Sequence, residues 1–253
     1  MGRGWPAGAR VEVQALRYKR LCRRGAGGSC RGKRSSAAGL AAGANLASCG
    51  ASVAVLLFGC IGLLCGSLPF SVWVGRALAG VDIRAYGDGN PGAANAWRAG
   101  GWRSGVPALA LDYLKGALPV AAAHHLCGVS GWGLVPVALA PILGHAFSPF
   151  LRFKGGKAIA VSFGIWSGLT LWRAPLVLGA VLTIAVALKE KGPCALVAGL
   201  AALLAYVVLA GYPPAIVAVW AGNAAVLVFK HRQELMAPCK AVVFAAHLLG
   251  RAR

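Results

Sequence analysis

Acidic side chains are nearly absent from this sequence: Glu12, Asp82, Asp88, Asp112, Glu190 and Glu234 are the only six among 253 residues. Charge of either sign is scarce, at 13%, against roughly 25% in an ordinary soluble domain. With 58% hydrophobic residues, that scarcity argues against a water-soluble fold. Paired cysteines are also missing. Cys22, Cys30, Cys49, Cys60, Cys65, Cys127, Cys194 and Cys239 include no CxxC pair and no companion histidines at zinc spacing, so neither a disulfide framework nor a metal site is predicted. Most are expected to be small apolar packing residues.

What is present is a series of apolar runs, near 51–75, 105–125, 132–150, 158–171, 174–188, 194–210 and 213–229. Most approach the ~20 residues that cross a ~30 Å hydrocarbon core at about 1.5 Å per residue. The fourth and fifth are short enough to tilt or re-enter. Pro69, Pro107, Pro119, Pro136 and Pro141 lie within these runs and do not argue against helix, because neighbouring helices can satisfy the freed backbone groups. The expected fold is an all-α membrane bundle of about seven transmembrane helices over residues 48–235, with a short cytoplasmic tail at 236–253.

Residues 1–47 carry no apolar period and hold ten of the 26 Lys and Arg residues. They read as a disordered basic extension: a tail on anionic lipid, a targeting peptide, or sequence upstream of the native start. Met1 and Met236 are the only methionines, which leaves an initiator at a Val or Leu codon near residue 53 open. The segment lacks a nucleic-acid-binding module, and only Trp5 and Tyr18 interleave its charges, so no nucleic-acid partner is expected.

The loops separate by charge. Arg76, Arg84, Arg98 and Arg103 follow the first run; Arg152, Lys154 and Lys157 the third; Lys189 and Lys191 the fifth; Lys230 and Arg232 the seventh. The other connections carry Arg173 alone. The positive-inside rule then puts the odd loops and the C-terminus in the cytoplasm and the N-terminus outside. The basic extension conflicts with that orientation, and the regularity of the loops favours its absence from the native protein.

Two of the cytoplasmic loops carry chemistry. In 81–103, Gly87, Gly89 and Gly92 permit curvature that points successive N–H groups into one concavity, Asn90 and Asn95 add amides, and Arg98 adds a fork suited to phosphate. In the second, Gly155, Gly156 and Lys157 precede a helix whose N-terminus favours an anion. It is not a Walker motif, since the first glycine and the Ser or Thr after the lysine are missing. Asp112 and Lys115 stand at i and i+3, able to pair with each other or, through Lys115, to reach an anion. His145 reads as a satisfied bundle histidine, His124 and His125 as interfacial, Asn223 as helix glue, and His231 as lying near the cytoplasmic surface.

In order, Gly66-Ser-Leu-Pro-Phe70, Asp82-Ile-Arg84, Gly87-Asp-Gly-Asn-Pro-Gly-Ala-Ala-Asn95 with Arg98, Leu111-Asp-Tyr-Leu-Lys-Gly116, Gly144-His-Ala-Phe147, Phe153-Lys-Gly-Gly-Lys157 and His231-Arg232 resemble the bacterial acyl-phosphate-dependent glycerol-3-phosphate acyltransferases of the PlsY type. The resemblance covers about residues 59–235. It implies a seven-helix plasma-membrane protein, N-terminus outside and active site facing the cytoplasm. It also implies acyl transfer from acyl phosphate to the sn-1 hydroxyl of glycerol 3-phosphate, giving lysophosphatidate and phosphate, with no obligatory cofactor. Asp88, Arg98, Lys157 and His231 are the expected catalytic group. Gly89, Asn90, Gly92, Asn95, Lys115, Gly155 and Gly156 are expected at substrate phosphate. The partners are the two substrates and the bilayer; oligomeric state is open, a monomer being sufficient. The family usually has Ser at Asp88, Thr at Ala94, Gly at Ala158 and Asn at Glu234. Alternatives are a catalytically silent relative that binds a phosphate-bearing ligand, or a small transporter; the polar density at one face rather than the midplane argues against the transporter.

Overall fold

The computed structural model describes residues 50, 52–189 and 192–236. The basic extension 1–47, Lys191 and the tail from residue 237 onward lie outside the described residues. The chain divides into two units, Met1–Ser48 and Cys49–Arg253, and the described part of the second is all-helical. Its helices are α1 (52–67), α2 (Phe70–Ala79), α3 (Ala93–Ala121), α4 (Leu134–Ala146), α5 (Ile159–Thr170), α6 (Arg173–Ala187), α7 (Gly192–Leu209) and α8 (Pro214–Leu235). Among the described residues, five stretches are long and apolar enough to cross a membrane: Ser52–Ala79, Ala93–Leu126, Gly131–Leu151, Gly192–Leu209 and Pro214–Leu235. Helices α5 and α6, of 12 and 15 residues, are the short pair the sequence predicts.

Two boundaries differ from the expectation. Pro69 interrupts the first span, because it has no N–H to continue the ladder; α1 ends before Leu68 and α2 begins at Phe70. At the break the Leu68 carbonyl accepts hydrogen bonds from Phe70 N–H at 3.0 Å and from Lys115 Nζ at 2.9 Å. The second span starts twelve residues early, at Ala93 instead of 105. It bends at Gly100 and Gly101, where Gly101 takes φ 62°, a value open to glycine without strain. Asn95 and Arg98, read from sequence as loop residues, therefore sit on the first turns of a helix.

Small residues bring the helix backbones together, as expected where lipid supplies no hydrophobic drive between spans. A Cβ on Gly164 would lie 2.1 Å from Tyr113 O, and one on Gly116 2.7 Å from Val161 O, so α3 and α5 pack nearly backbone to backbone. Gly66 and Gly144 do the same for α1 and α4. The main core gathers Ile142, Val161, Ile165, Trp166, Leu203 and Val219. Ser162 Oγ donates to Asn223 Oδ1 at 2.7 Å, tying α5 to α8 as the sequence anticipates for Asn223. Among the described residues, Cys60, Cys65 and Cys127 are free thiols.

A smaller cluster of Val72, Ile83, Ala96 and Ala108 anchors the 81–92 connection. Ile83 is fully buried in a short 3-10 turn, Ile83–Ala85. Asp82 caps that turn, accepting from Arg84 N at 3.0 Å and pairing with the Arg76 and Arg84 guanidinium groups at 3.0 and 2.5 Å. The Arg84 guanidinium holds the Asp82 carboxyl far below the usual carboxylate range. This fixed base sets where the glycine-rich turn begins.

Candidate active site

Downstream of that base, Gly87 and Gly89 adopt φ 56° and 72°, folding the chain back so that Asp88 and Asn90 face α3. A Cβ on Gly87 would meet Arg98 Nη1 at 2.4 Å and Asn95 Oδ1 at 2.5 Å, so glycine there makes room for those side chains. Asn95 is the hub: its Nδ2 donates to Asp88 Oδ1 at 2.9 Å and Asn90 O at 3.0 Å, and its Oδ1 accepts from Arg98 Nη1 at 2.6 Å. Helix α3 starts directly beyond, so the first-turn N–H groups around Ala93 and Ala94 point out of the helix end.

The second loop is held from below. Gly156 N–H donates to His145 O at 3.1 Å, and Lys230 Nζ donates to Ala146 O at 3.0 Å and Gly155 O at 2.8 Å. No Cβ fits at Gly155, which would stand 2.0 Å from His145 O, or at Gly156, 2.2 Å from His145 Nε2. The loop delivers Lys157 and then enters α5 through Ala158, which holds a left-handed φ of 62°.

Both loops and the end of α8 meet around one cavity of about 920 Å³. Its polar end presents Asp88, Asn90, Arg98, Lys157 and His231, with the N-termini of α3 (Gly92, Ala93, Ala94) and α5 (Ile159, Ala160). Two helix N-termini and two cations favour an anion in this space, which the carboxylates of Asp88 and Glu234 also line. The rest of the lining is mostly apolar, with Val106, Leu109 and Tyr113 from α3 and Ile159 and Phe163 from α5, and it also includes Asp112 and His145.

Lys157 Nζ donates to both Asp88 Oδ2 and Glu234 Oε1. Burial penalises the Asp88 carboxylate, but the hydrogen bonds from Lys157, Asn90 N–H and Asn95 outweigh it and hold the pKa down at about 2. Burial likewise works against the Lys157 ammonium, and its bonds to the two carboxylates outweigh that and raise its pKa. Asp88 is thus neutralised by a lysine from another loop.

Of the eleven residues expected at the site, Asp88, Arg98, Lys157, His231, Asn90 and Gly92 line this cavity. Gly89, Asn95, Gly155 and Gly156 lie behind it and shape the two loops. Lys115 is a correction, because it does not reach the cavity. Its side chain is 2% exposed, paired with Asp112 at 2.6 Å and bonded to Leu68 O, so its charge is spent on the helix break. Ser71 Oγ donates to Asp112 Oδ2 at 2.5 Å, and His145 Nδ1 stands 3.8 Å from Asp112 Oδ1. His231 meets the cavity from the end of α8 with its side chain buried, at 4% exposure, and its Nδ1 2.8 Å from Leu227 O. Sequence reasoning missed Lys230, the cation that clamps the second loop, since it read only as a positive-inside charge. It also missed Tyr113 and Phe163, which look like any apolar-run aromatics.

A family model for glycerol-3-phosphate acyltransferase matches residues 56–239. The chain is 42% identical over 196 residues to glycerol-3-phosphate acyltransferase 1 of Thermotoga maritima, covering 72% of this chain and 96% of that one. It is 38% identical over 186 residues to the Ralstonia pickettii glycerol-3-phosphate acyltransferase, covering 72% and 89%. Among solved structures it resembles the integral membrane glycerol 3-phosphate acyltransferase PlsY in its glycerol 3-phosphate form, with a TM-score of 0.62, 30% identity, and coverage of 72% of this chain and 90% of that one. The lysophosphatidic acid form of PlsY gives 0.61, 29%, 72% and 89%. The chain belongs to the glycerol-3-phosphate acyltransferase family.

Proposed function

We propose that this cavity aligns glycerol 3-phosphate with an acyl phosphate and transfers the acyl group to the sn-1 hydroxyl, giving lysophosphatidate and inorganic phosphate. The observation that carries the reading is the meeting of Arg98, Lys157 and two helix N-termini in a cavity whose remaining lining, Asp112 and His145 aside, is mostly apolar. The polar end suits phosphate and the apolar end an acyl chain. Val106, Leu109 and Ile159 line the cavity and are themselves exposed, which suits entry of an acyl chain along that wall.

Acyl phosphate is already an activated anhydride, so the protein's work is positioning and charge stabilisation. The hydroxyl oxygen attacks the acyl carbonyl carbon, the bond from that carbon to the phosphate oxygen breaks, and phosphate leaves with the electron pair. Arg98, Lys157 and the N–H groups at the two helix ends stabilise the growing charge. In neutral His231, Nδ1–H donates to Leu227 O and Nε2 is left as an acceptor that orients the hydroxyl. Asp88, held ionised at about 2, is a weak base; it fixes Lys157, and a substrate phosphate oxygen takes the hydroxyl proton. No cofactor enters this scheme.

In this reading α5 and α6 complete seven spans with the five longer stretches, and the basic loops support a polar end that faces the cytoplasm across the plasma membrane. Residues 48–235 form the membrane catalytic domain, with 1–47 a basic extension and 236–253 a tail. A silent phosphate-ester-binding relative is the second reading, favoured by the two carboxylates that occupy Lys157. Phosphate release from palmitoyl phosphate, measured with and without glycerol 3-phosphate, separates the two. Acceptor-dependent release is expected, with loss in Arg98→Ala and in Lys157→Ala; unaltered turnover in both variants refutes the assignment.

A further inference from the structure

Lys157 joins the two positions, Asp88 and Glu234, at which this chain carries an added carboxylate. The contacts span 69 and 77 residues of sequence, so three separate elements close on one ammonium at the cavity mouth. We propose that Glu234 is a specificity-determining residue that competes with the acceptor's phosphate for Lys157, so that the phosphate is received first by Arg98 and gains Lys157 only by displacing Glu234.

Three observations carry this. First, the two cations differ in availability. The Arg98 side chain bonds the neutral Asn95 Oδ1, with no carboxylate within 4.0 Å among the described residues, whereas Lys157 has two. Second, the two carboxylates differ in how firmly they are held. Asp88 also accepts from Asn95 Nδ2 and Asn90 N–H, while among the described residues the Glu234 carboxylate bonds Lys157 alone. Glu234 sits on the last turn of α8, 39% exposed, and is the partner free to swing into water. Third, the two carboxylates cancel the two cations, so an incoming phosphate dianion meets a neutral cluster and a carboxylate on the lysine it needs. A part-buried ion pair whose glutamate reaches water is weak enough for a phosphate to exchange, yet costs the incoming anion a measurable part of its affinity.

The inference rests on the acyl-transfer reading only for its kinetic arm. Full-length protein in detergent is titrated with inorganic phosphate, followed by the rise in melting temperature, for the wild type, Glu234→Gln and Glu234→Asn. The same proteins are assayed for the KM of glycerol 3-phosphate. Both variants are expected to bind phosphate more tightly by about fivefold, the upper end of the range for an ion pair near the surface, and to lower KM more than they change kcat. Phosphate affinity that stays the same or weakens in both variants overturns the proposal. A wild type that binds phosphate but transfers no acyl group defeats the acyltransferase reading instead, and the phosphate titration still decides on Glu234.

Discussion

Gly155→Ala tests the claim that the second loop is set by backbone contact with the end of α4. The added Cβ would stand 2.0 Å from His145 O and 2.9 Å from Ala146 C and O, against about 3.4 Å for ordinary contact, a shortfall of 1.4 Å (3.4 − 2.0). Because the obstructing atoms are backbone at the end of α4, and Lys230 clamps both Ala146 O and Gly155 O, the loop itself has to move. Lys157 lies two residues on and moves with it. A displacement near 1 Å at a positioning group is expected to cost about 100-fold in turnover, with about 1–3 kcal/mol of stability lost to overpacking. Gly156→Ala is the informative partner. Its clash, at 2.2 Å, is with the His145 ring, so His145→Ala in the same chain removes the obstruction and should restore most of the activity, because Gly156 N–H bonds the His145 carbonyl and not the ring. The same second change should not rescue Gly155→Ala. Initial rates of phosphate release from palmitoyl phosphate with saturating glycerol 3-phosphate give the readout. Gly155→Ala retaining more than half of wild-type turnover, or His145→Ala rescuing both variants equally, would refute the geometric account.

Ala158→Gly should stabilise the chain by about 1 kcal/mol in denaturant unfolding, because Ala158 holds φ 62°, where an L side chain is strained. Asp112→Ala should destabilise by about 3–5 kcal/mol by leaving Lys115 charged and buried, and Asp112→Ala with Lys115→Met should recover most of that loss in thermal unfolding. Asp88, with a folded pKa lowered from 3.8 to about 2, adds stability above the ordinary value that fades as pH falls toward 2. Lys157, raised above 10.5, adds stability that is present below that value and fades above it. The melting-temperature gap between wild type and Asp88→Asn should therefore stay flat from about pH 5 to 9 and close in strong acid; a gap that changes near pH 7 would contradict the ion-pair assignment.

The sequence alone determined the class of molecule and the neighbourhood of its chemistry, since both are local properties. Apolar runs of membrane-spanning length follow from composition over about 20 residues. Glycine at 87, 89 and 92, and again at 155 and 156, marks backbone that must curve or approach closely. Basic residues in alternate loops report a common face without any contact being known. Other features depend on distance in space. Nothing local says that Lys115 turns inward to bond the Leu68 carbonyl beside Pro69, or that Lys157 bonds two carboxylates 69 and 77 residues away. The start of α3 at Ala93 was equally hidden, because its first turns are polar and glycine-bearing and become helical by packing Ala96 into the cluster around Ile83. Tertiary structure decided which cations are free to meet a phosphate, because a charge's availability depends on every partner the fold brings within reach.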